Sequence, residues 1–575
     1  MMASFRIASI TTMAVALLAA TIVTPAACQH SEDLVFDGNI LWNCGDGPYN
    51  TDTGGASCPG GAYSTTQLAT QYYTHNSEVD PLLVDPHNMS APDWSPQANS
   101  PAICENGAEV VLSSSIDPWF HTVSYAGALN YTGGDDEQDW TKGWTYYNYD
   151  GGMGRTDIDT NKPTVVVAAN VTSNETWSSD NNYELLGRIG VDNNATLVIE
   201  PGTVVMGSGV GSYLVIERGS RLVANGTREE PIVFTSNADF SAGEQFPGDS
   251  GGVVIHGRAL ANCAVGGTIP GCNSTATGND CESEGGAGFF GGDDDDDDSG
   301  IIRYCRVEYA GQEISTNNEL NAWTFNAVGR MTTVEYLQAH LGTDDGLEWF
   351  GGSARCRWLV ATGNQDDNID WQMGFRGFIQ YAVVQQSDLI PELDKAIEAD
   401  NNEYDYDCMG RSNPLLSNLT LIGSPTGTHG IHLRRGTAAR IVNSIIADFT
   451  GYCFRVQHEE TFANCPGDPV ALFDCNIIGV DNSPAPAVGA FVVAAAPNPV
   501  FASSSFTFSL QDAANVELNV YDATGRMVEQ VFTGRLSAGD HALDWTPPSD
   551  ASSGVYYFKA VAGADVTSGK LLVLN

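Results

Sequence analysis

Residues 334–377 repeat with a fixed period of 22 residues. Tyr336 is answered by Trp358, Asp344 by Asp366, Asp345 by Asp367, Glu348 by Asp370, Trp349 by Trp371 and Gly352 by Gly374. A period of this length constrains a chain to a solenoid, because one repeat buries its apolar face only by stacking on the next. Short β-branched runs ended by glycine extend the rhythm in both directions. Leu197-Val198-Ile199 is echoed by Leu214-Val215-Ile216, and further runs lie at 231–235, 252–255, 304–309, 333–337, 357–360, 379–384, 419–422 and 441–446. Glycine turns such corners at least steric cost. Charged and aromatic positions recur in the same order in each repeat, which favours parallel stacking, since a meander reverses the order in alternate strands. The expectation is an all-β chain, with a right-handed parallel β-helix over 166–480.

The flanks read differently. Arg6, the apolar run 7–23 and Thr24-Pro25-Ala26-Ala27 have the layout of a secretory signal peptide, 1–27. Cys28 stands where a lipoprotein is acylated, but Pro25 occupies the place at which a lipobox needs Leu or Val. Residues 28–165 are irregular and rich in Gly, Asn, Asp, Pro and aromatics. Residues 481–496 read as a linker. Over 497–575, short alternating strands punctuated by Gly525, Gly534, Gly539 and Gly554 predict a small immunoglobulin-like β-sandwich.

With 71 acidic against 25 basic residues the net charge is −46. This argues against nucleic acid and anionic membranes, which need basic patches, and fits cations or basic partners. Beyond the leader no run approaches the ~20 apolar residues of a transmembrane span. Thirteen cysteines without a CxxC spacing point to structural disulfides in an oxidising compartment. The local candidates are Cys44 with Cys58, two among Cys263, Cys272 and Cys281, and two among Cys453, Cys465 and Cys475.

The repeat also raises an electrostatic problem. Coils stack about 4.8 Å apart, so Asp344 and Asp345 should lie that far from Asp366 and Asp367. Two unit charges at this distance repel by about 1 kcal/mol in water and about 3–4 kcal/mol at an effective dielectric of 20. A Ca²⁺ ion held by Asp344, Asp345, Asp366 and Asp367 relieves this, with carbonyls of the adjacent turns completing its shell. The competing structural reading is that these are solvated turn residues, since Asp tolerates tight corners. A second reading of the same ladder is catalytic. Asp366, Asp367 and Asp370, with His429, His432, Arg434 and Arg435, are the residue types of a polysaccharide hydrolase or lyase. Against it, 62 residues separate Asp367 from His429, nearly three 22-residue coils. Trp349 and Trp371 suit either a sugar platform or the core, where such pairs are commoner. The six aspartates 293–298 lack EF-hand spacing and read as a mobile acidic loop. Gly248-Asp249-Ser250-Gly251-Gly252 copies a serine-protease signature but leads straight into a strand, and His458-Glu459-Glu460 lacks the second histidine of a zinc protease.

Two resemblances follow from longer phrases. Pro497-Asn498-Pro499, Val520-Tyr521-Asp522-Ala523-Thr524-Gly525-Arg526, Ser553-Gly554-Val555-Tyr556-Tyr557 and Gly569-Lys570-Leu571 resemble the carboxy-terminal sorting domain of type IX secretion cargo, related to the flagellar-hook-cap Ig-like fold. The resemblance implies export, with Pro497, Asn498, Pro499, Gly525, Gly554 and Lys570 in the secretion signal and the export machinery as partner. Residues 166–450 resemble a β-helix family carried by such cargo, through 196–203, 217–226, 300–311, 333–352, Ala399-Asp400-Asn401-Asn402 and His432-Leu433-Arg434-Arg435. In that family the phrases at 125–128 and 139–144 usually follow the helix. Here they precede it, so 28–165 is expected to carry a displaced end of the solenoid. The leading expectation is a secreted or cell-surface scaffold or binding protein, adhesin-like and cation-stabilised. It has no nucleic-acid partner and no membrane span, and it contacts polysaccharide or another cell surface. The alternative is a polysaccharide hydrolase or lyase.

Overall fold

The computed structural model describes residues 34–49, 76–132, 138–149, 155–263, 281–464 and 493–573, apart from single residues and short stretches inside these ranges. The expected signal peptide, the Cys28 position, Cys58, Cys272, Cys465, Cys475, the Pro497-Asn498-Pro499 phrase and Gly525 lie outside the described residues. The chain divides into two compact units, Met1–Ile478 and Gly479–Asn575.

The first unit is a parallel β-helix. One sheet stacks ten parallel strands, running from Arg188–Val191 through Tyr213–Ile216, Val253–His256, Trp323–Asn326, Leu347–Phe350, Ile369–Gln372, Ile397–Ala399 and Ile431–Leu433 to Tyr452–Val456 and Gly47–Tyr49. The 22-residue period is this stacking: Glu348 pairs with Asp370 and Trp349 with Trp371, one coil on. Alternate residues point inward. Trp349 and Trp371 are 0% exposed, and Trp349 stacks between Phe325 and Phe375 with centroids 5.3 Å away on either side. They therefore belong to the core, and the sugar-platform expectation fails.

The other walls are supplied by long strands: Gly300–Glu308, Thr333–His340, Arg355–Thr362, Phe378–Gln385 and Leu415–Ile422. Each bends at one residue in left-handed conformation: Tyr304, Tyr336, Trp358, Tyr381 and Asn418, with φ between 48 and 62°. For a residue other than glycine such a bend costs about 1–2 kcal/mol. The first four rings stack one above the next, at 4.2, 4.4 and 5.9 Å between centroids. Each such pair contributes about 0.5–1.5 kcal/mol beyond its buried area, which offsets much of the strain.

The amino-terminal region completes the solenoid. Leu34–Asp37 pairs with Ala439–Val442, Ile40–Trp42 with Ile445–Ala447, and Gly47–Tyr49 with Tyr452–Val456, all parallel. These three strands are one further coil, added to the carboxy-terminal end of the helix by the start of the chain. Cys44 is disulfide-bonded to Cys453, 409 residues away. The local bridges expected for Cys44 with Cys58, and for Cys453 with Cys465 or Cys475, are thereby corrected: stacking brings distant residues closer than the sequence neighbours. Cys263–Cys281 is one of the expected local pairs.

The chain then crosses the outer face of the bent strands. Trp94, Ala102, Ala126, Ala128 and Trp144 pack on Val360, Val383, Ile422 and Ile445, and Trp144 meets the rings of Tyr304 and Tyr336 edge-on. The side chains of Gln338 and Gln380 each bond both backbone groups of a residue in this cover, Tyr146 and His121. Two arginines and two acids tie it down: Arg155 lies 2.5 Å from Glu308 and 2.9 Å from Asp157, and Arg306 reaches the same two carboxylates. The helix proper opens with Thr164–Val167, paired with Asn182–Leu185.

The second unit is an Ig-like sandwich of antiparallel sheets, one with Val493–Ala496, Ser504–Leu510 and Gly539–Trp545, the other with Met527–Leu536, Ala514–Asp522, Gly554–Ala562 and Asp565–Val573. Val493–Ala496 falls in the stretch read as a linker, 481–496. It is a strand because its apolar residues pair with Ser505–Phe508. Gly554 and Lys570 lie on the paired final strands. Phe506, Trp545 and Phe558 fill the core.

Replacing Cys44 and Cys453 together by serine releases the added coil from the helix end. The expected cost is about 2–4 kcal/mol of stability, read as a lower midpoint in denaturant, with early proteolysis before residue 76. An unchanged midpoint would show that the bridge contributes nothing to the coil.

Candidate functional site

The ten-strand sheet carries a polar column on its outer face. Thr324, Glu348, Asp370, Glu398, His432 and Arg455 succeed one another coil by coil in hydrogen-bonded register. They are the outward positions between core residues such as Leu347 and Trp349, Ile369 and Trp371, or Ile397 and Ala399. The separations along this column are 22, 28 and 34 residues from Glu348 to His432, because residues inserted after Gln385 and after Asn402 lengthen two coils. His429 therefore lies two coils from Asp367, about 10 Å by stacking, and not nearly three. The inserted loops, with Glu284 and Glu319 from earlier connections, wall a cleft of about 970 Å³ over the column.

Asp345 and Asp367 act first as turn residues, as the competing reading holds. The backbone N–H of Asp367 donates to Asp345 Oδ1 at 2.9 Å, and that of Lys395 to Asp367 Oδ1 at 2.8 Å. Four groups of three carboxylates have oxygens within 4.8 Å of one another: Asp344–Asp345–Asp366, Asp345–Glu348–Asp370, Asp366–Asp367–Asp394 and Asp367–Asp370–Glu398. Three of the four residues expected to hold a metal thus converge, while Asp367 joins different groups. No such group among the described residues unites the alternative catalytic set Asp366, Asp367 and Asp370.

Sequence reasoning missed Glu284, Glu319, Asp394, Lys395, Glu398, Asp400 and Glu403. The signal for Glu398 was the outward alternation in Ile397-Glu398-Ala399. The 22-residue period hid it, because the coil is longer.

Charge is unevenly compensated. Lys395 Nζ lies 2.8 Å from Glu398 and 3.7 Å from Asp367, and also contacts Asp394. Arg434 contacts Glu398 and lies 2.8 Å from Asp400, and Arg435 lies 2.7 Å from Asp400. Asp344, Asp345, Glu348, Asp366 and Asp370 have no lysine or arginine in ion-pair range among the described residues. Burial, and then neighbouring carboxylates, push Asp344, Asp345, Glu348 and Asp370 well above the usual carboxylate range. Glu284 is pushed up to about 8 by burial, then by Glu319 and Glu403. His432 is pushed down to about 2 by burial, then by Arg455 and Arg434, so it is neutral at physiological pH. Two buried oxygens at the column, Asp370 Oδ1 and Asn321 Oδ1, have no hydrogen-bond partner. A buried acceptor left unmade costs about 1–3 kcal/mol, so these atoms fit a cation that accepts oxygen ligands.

The remaining motifs are structural. The loop of aspartates 293–298, expected to be mobile, is tied to the helix by ion pairs: Arg376 bonds both oxygens of Asp295 at 3.0 Å, Arg330 lies 2.6 Å from Asp296, Arg221 lies 2.7 Å from Asp298, and Asp297 is buried. Ser250 is buried, and no histidine among the described residues bonds to it. At Gly252, φ is +80°, and a Cβ there would meet the Asn321 carbonyl at 2.2 Å, which is why the Gly-Asp-Ser-Gly-Gly phrase carries glycine. His458 Nδ1 accepts the backbone N–H of Arg435.

Comparison with known proteins agrees with this architecture. Residues 169–502 match the family described as pectate-lyase-like β-helix domain, and residues 499–565 match the FlgD Ig-like domain. No curated protein matches the chain. Among solved structures there is a likeness to the tailspike protein gp49 from Acinetobacter baumannii bacteriophage Fri1, a capsular polysaccharide depolymerase. It has 9% identity over 72% of this chain and 80% of that one, with a TM-score of 0.20. No helix among the described residues is long and apolar enough to cross a membrane. With more than half of its length matched, the chain belongs to the pectate-lyase-like β-helix domain family.

Proposed function

We propose that this is an exported polysaccharide-binding protein whose cleft works with bound Ca²⁺ and whose carboxy-terminal unit is a type IX sorting domain. The observation that carries the reading is the open cleft of about 970 Å³ with five carboxylates that, among the described residues, have no lysine or arginine in ion-pair range. Folding does not tolerate such a cluster without protons or a cation. Asp344, Asp345 and Asp366, with turn carbonyls, are the hard oxygen donors that Ca²⁺ takes. The wall adds Gln312, Asn321, Gln365, Gln372 and the exposed Tyr404, side chains that suit a hydroxyl-rich ligand. Export is supported by the match of 499–565 to the FlgD Ig-like domain.

Binding without cleavage is favoured by the state of the bases. Lys395 and Arg434 each hold two or more carboxylates, and neither is available to take a proton. The second reading, hydrolysis or elimination, is favoured by Glu284, which is protonated at neutral pH on the same cleft as Glu398, whose carboxylate Lys395 and Arg434 pair.

The cation has a pH signature. Carboxyls raised above their ordinary range bind protons more tightly folded than unfolded. They favour the folded state below about pH 4 and cost stability as pH rises toward their folded values. Asp157, which Arg155 and Arg306 hold at about 2 against the effect of burial, acts oppositely but only below about pH 4. The melting temperature of EDTA-treated protein is thus expected to fall by several degrees between pH 5 and pH 8, and Ca²⁺ is expected to restore it at pH 8. A melting temperature indifferent to both would sink the cation. Ligand binding is tested on neutral and acidic polysaccharides: binding is expected with Ca²⁺ and is expected to drop at least tenfold in EDTA or in Asp370→Asn. New reducing ends would assign a hydrolase, unsaturated ends a lyase, and no binding to any polysaccharide would end the reading. Truncation before Val493 is expected to leave the protein inside the outer membrane, as followed by cell fractionation.

A further inference from the structure

The four carboxylate groups of the cleft form a ring in which Asp345, Asp366, Asp367 and Asp370 each belong to two groups. Asp366–Asp367–Asp394 and Asp367–Asp370–Glu398 share Asp367. One ammonium, that of Lys395, meets both: it contacts Asp394, lies 2.8 Å from Glu398 and 3.7 Å from Asp367. Asp344–Asp345–Asp366 and Asp345–Glu348–Asp370 share Asp345, and among the described residues no ammonium or guanidinium lies in ion-pair range of them; Lys395 and Arg434 act on Asp366, and Arg434 on Asp370, only from farther away. The second of these groups is buried throughout. Beside it Asn321, 1% exposed, donates from Nδ2 to Glu348 while its own Oδ1 has no partner, and Asp370 Oδ1, on a side chain more than nine-tenths buried, has none either.

We propose that the cleft binds two divalent cations bridged by Asp345, and that Lys395 is a resident counter-ion filling the place of a third. The outer cation is held by Asp344, Asp345 and Asp366. The inner one is held by Asp345, Glu348 and Asp370, with Asn321 Oδ1 as a neutral ligand. Carboxylate and amide oxygens are the donors a hard cation of the Ca²⁺ class selects, and a carboxylate can serve two such ions through its two oxygens. One Asp345 oxygen already accepts the Asp367 N–H at 2.9 Å, which orients the carboxylate between the two groups. Lys395 is fixed in turn by its own backbone N–H on Asp367. Its charge is therefore part of the fold, whereas the charge opposite Asp345 must come from solution. This deepens the cation part of the function proposed above and specifies number and ligands.

Calorimetric titration of metal-stripped, full-length protein with Ca²⁺ tests it. Two sites are expected in the unmodified chain. Glu348→Gln is expected to lose one, and Asp345→Asn to weaken both at least tenfold. Lys395→Met, which opens the Asp367 groups, is expected to bind three, while Lys395→Arg keeps the charge and binds two. Far-ultraviolet circular dichroism of each variant verifies that the β-helix is folded. One site in the unmodified protein, or equal affinities in Asp345→Asn, would overturn the bridged pair. A count of two in folded Lys395→Met would overturn the counter-ion role. Polysaccharide binding that persists with a single Ca²⁺ would defeat this inference while leaving the proposed function standing; the absence of any Ca²⁺ binding would defeat the cation part of both.

Discussion

Parallel stacking in register is the interaction on which the rest of this molecule depends. Each coil sets its residues about 4.8 Å from the equivalent residues of the next, so whatever one coil carries becomes a column. Apolar and aromatic columns gain from this. Phe325, Trp349 and Phe375 stack inside the helix, and Tyr304, Tyr336, Trp358 and Tyr381 stack at the bends outside it. Charged columns pay for the same geometry, because like charges are brought to a distance at which they repel by several kcal/mol once water is excluded.

The protein meets that cost in two ways along one column. Around Glu398 and Asp400 it supplies Lys395, Arg434 and Arg435. Around Asp345, Glu348 and Asp370 it supplies, among the described residues, no lysine or arginine in ion-pair range, and the carboxyls are forced toward their neutral forms. Buried ionic groups left without a partner are costly, and a chain with 71 acidic residues could have replaced them by amides. That they sit on the wall of an open cleft, beside the unpartnered amide oxygen of Asn321, makes the cluster a binding feature. The pinned aspartates 295–298 provide the contrast: there every carboxylate has an arginine or hydroxyl partner.

The end coil solves a different problem of stacking. A solenoid exposes unpaired strand edges where it stops. Here the chain's own start, Leu34–Tyr49, covers the edge left by Ala439–Val456, and the segment that follows runs back over the outer face to reach the first coil. Cys44–Cys453 fastens the added coil. The phrases at 125–128 and 139–144, which precede the helix in sequence, lie against its late strands through Ala126, Ala128 and Trp144.

By itself the sequence determined the architecture. The 22-residue register, the glycine-ended β-branched runs and the alternating strands of the last residues are local patterns, and local patterns specify coils and sandwiches directly. It also picked out Asp344, Asp345, Asp366 and Asp367, of which the first three fall in one group, because two consecutive coils of equal length keep period and space in step. Where coils lengthen, that link breaks. Glu398 and Lys395 fall 28 residues after Asp370 and Asp367, so the period could not align them. Only the tertiary structure revealed that Lys395 neutralises Asp367 while Asp345 is left without a cation. The same holds for Cys44 and Cys453, and for Glu284 and Glu319. Their positions are set by where loops of unequal length return to the stack, and that is a property of the whole packed chain.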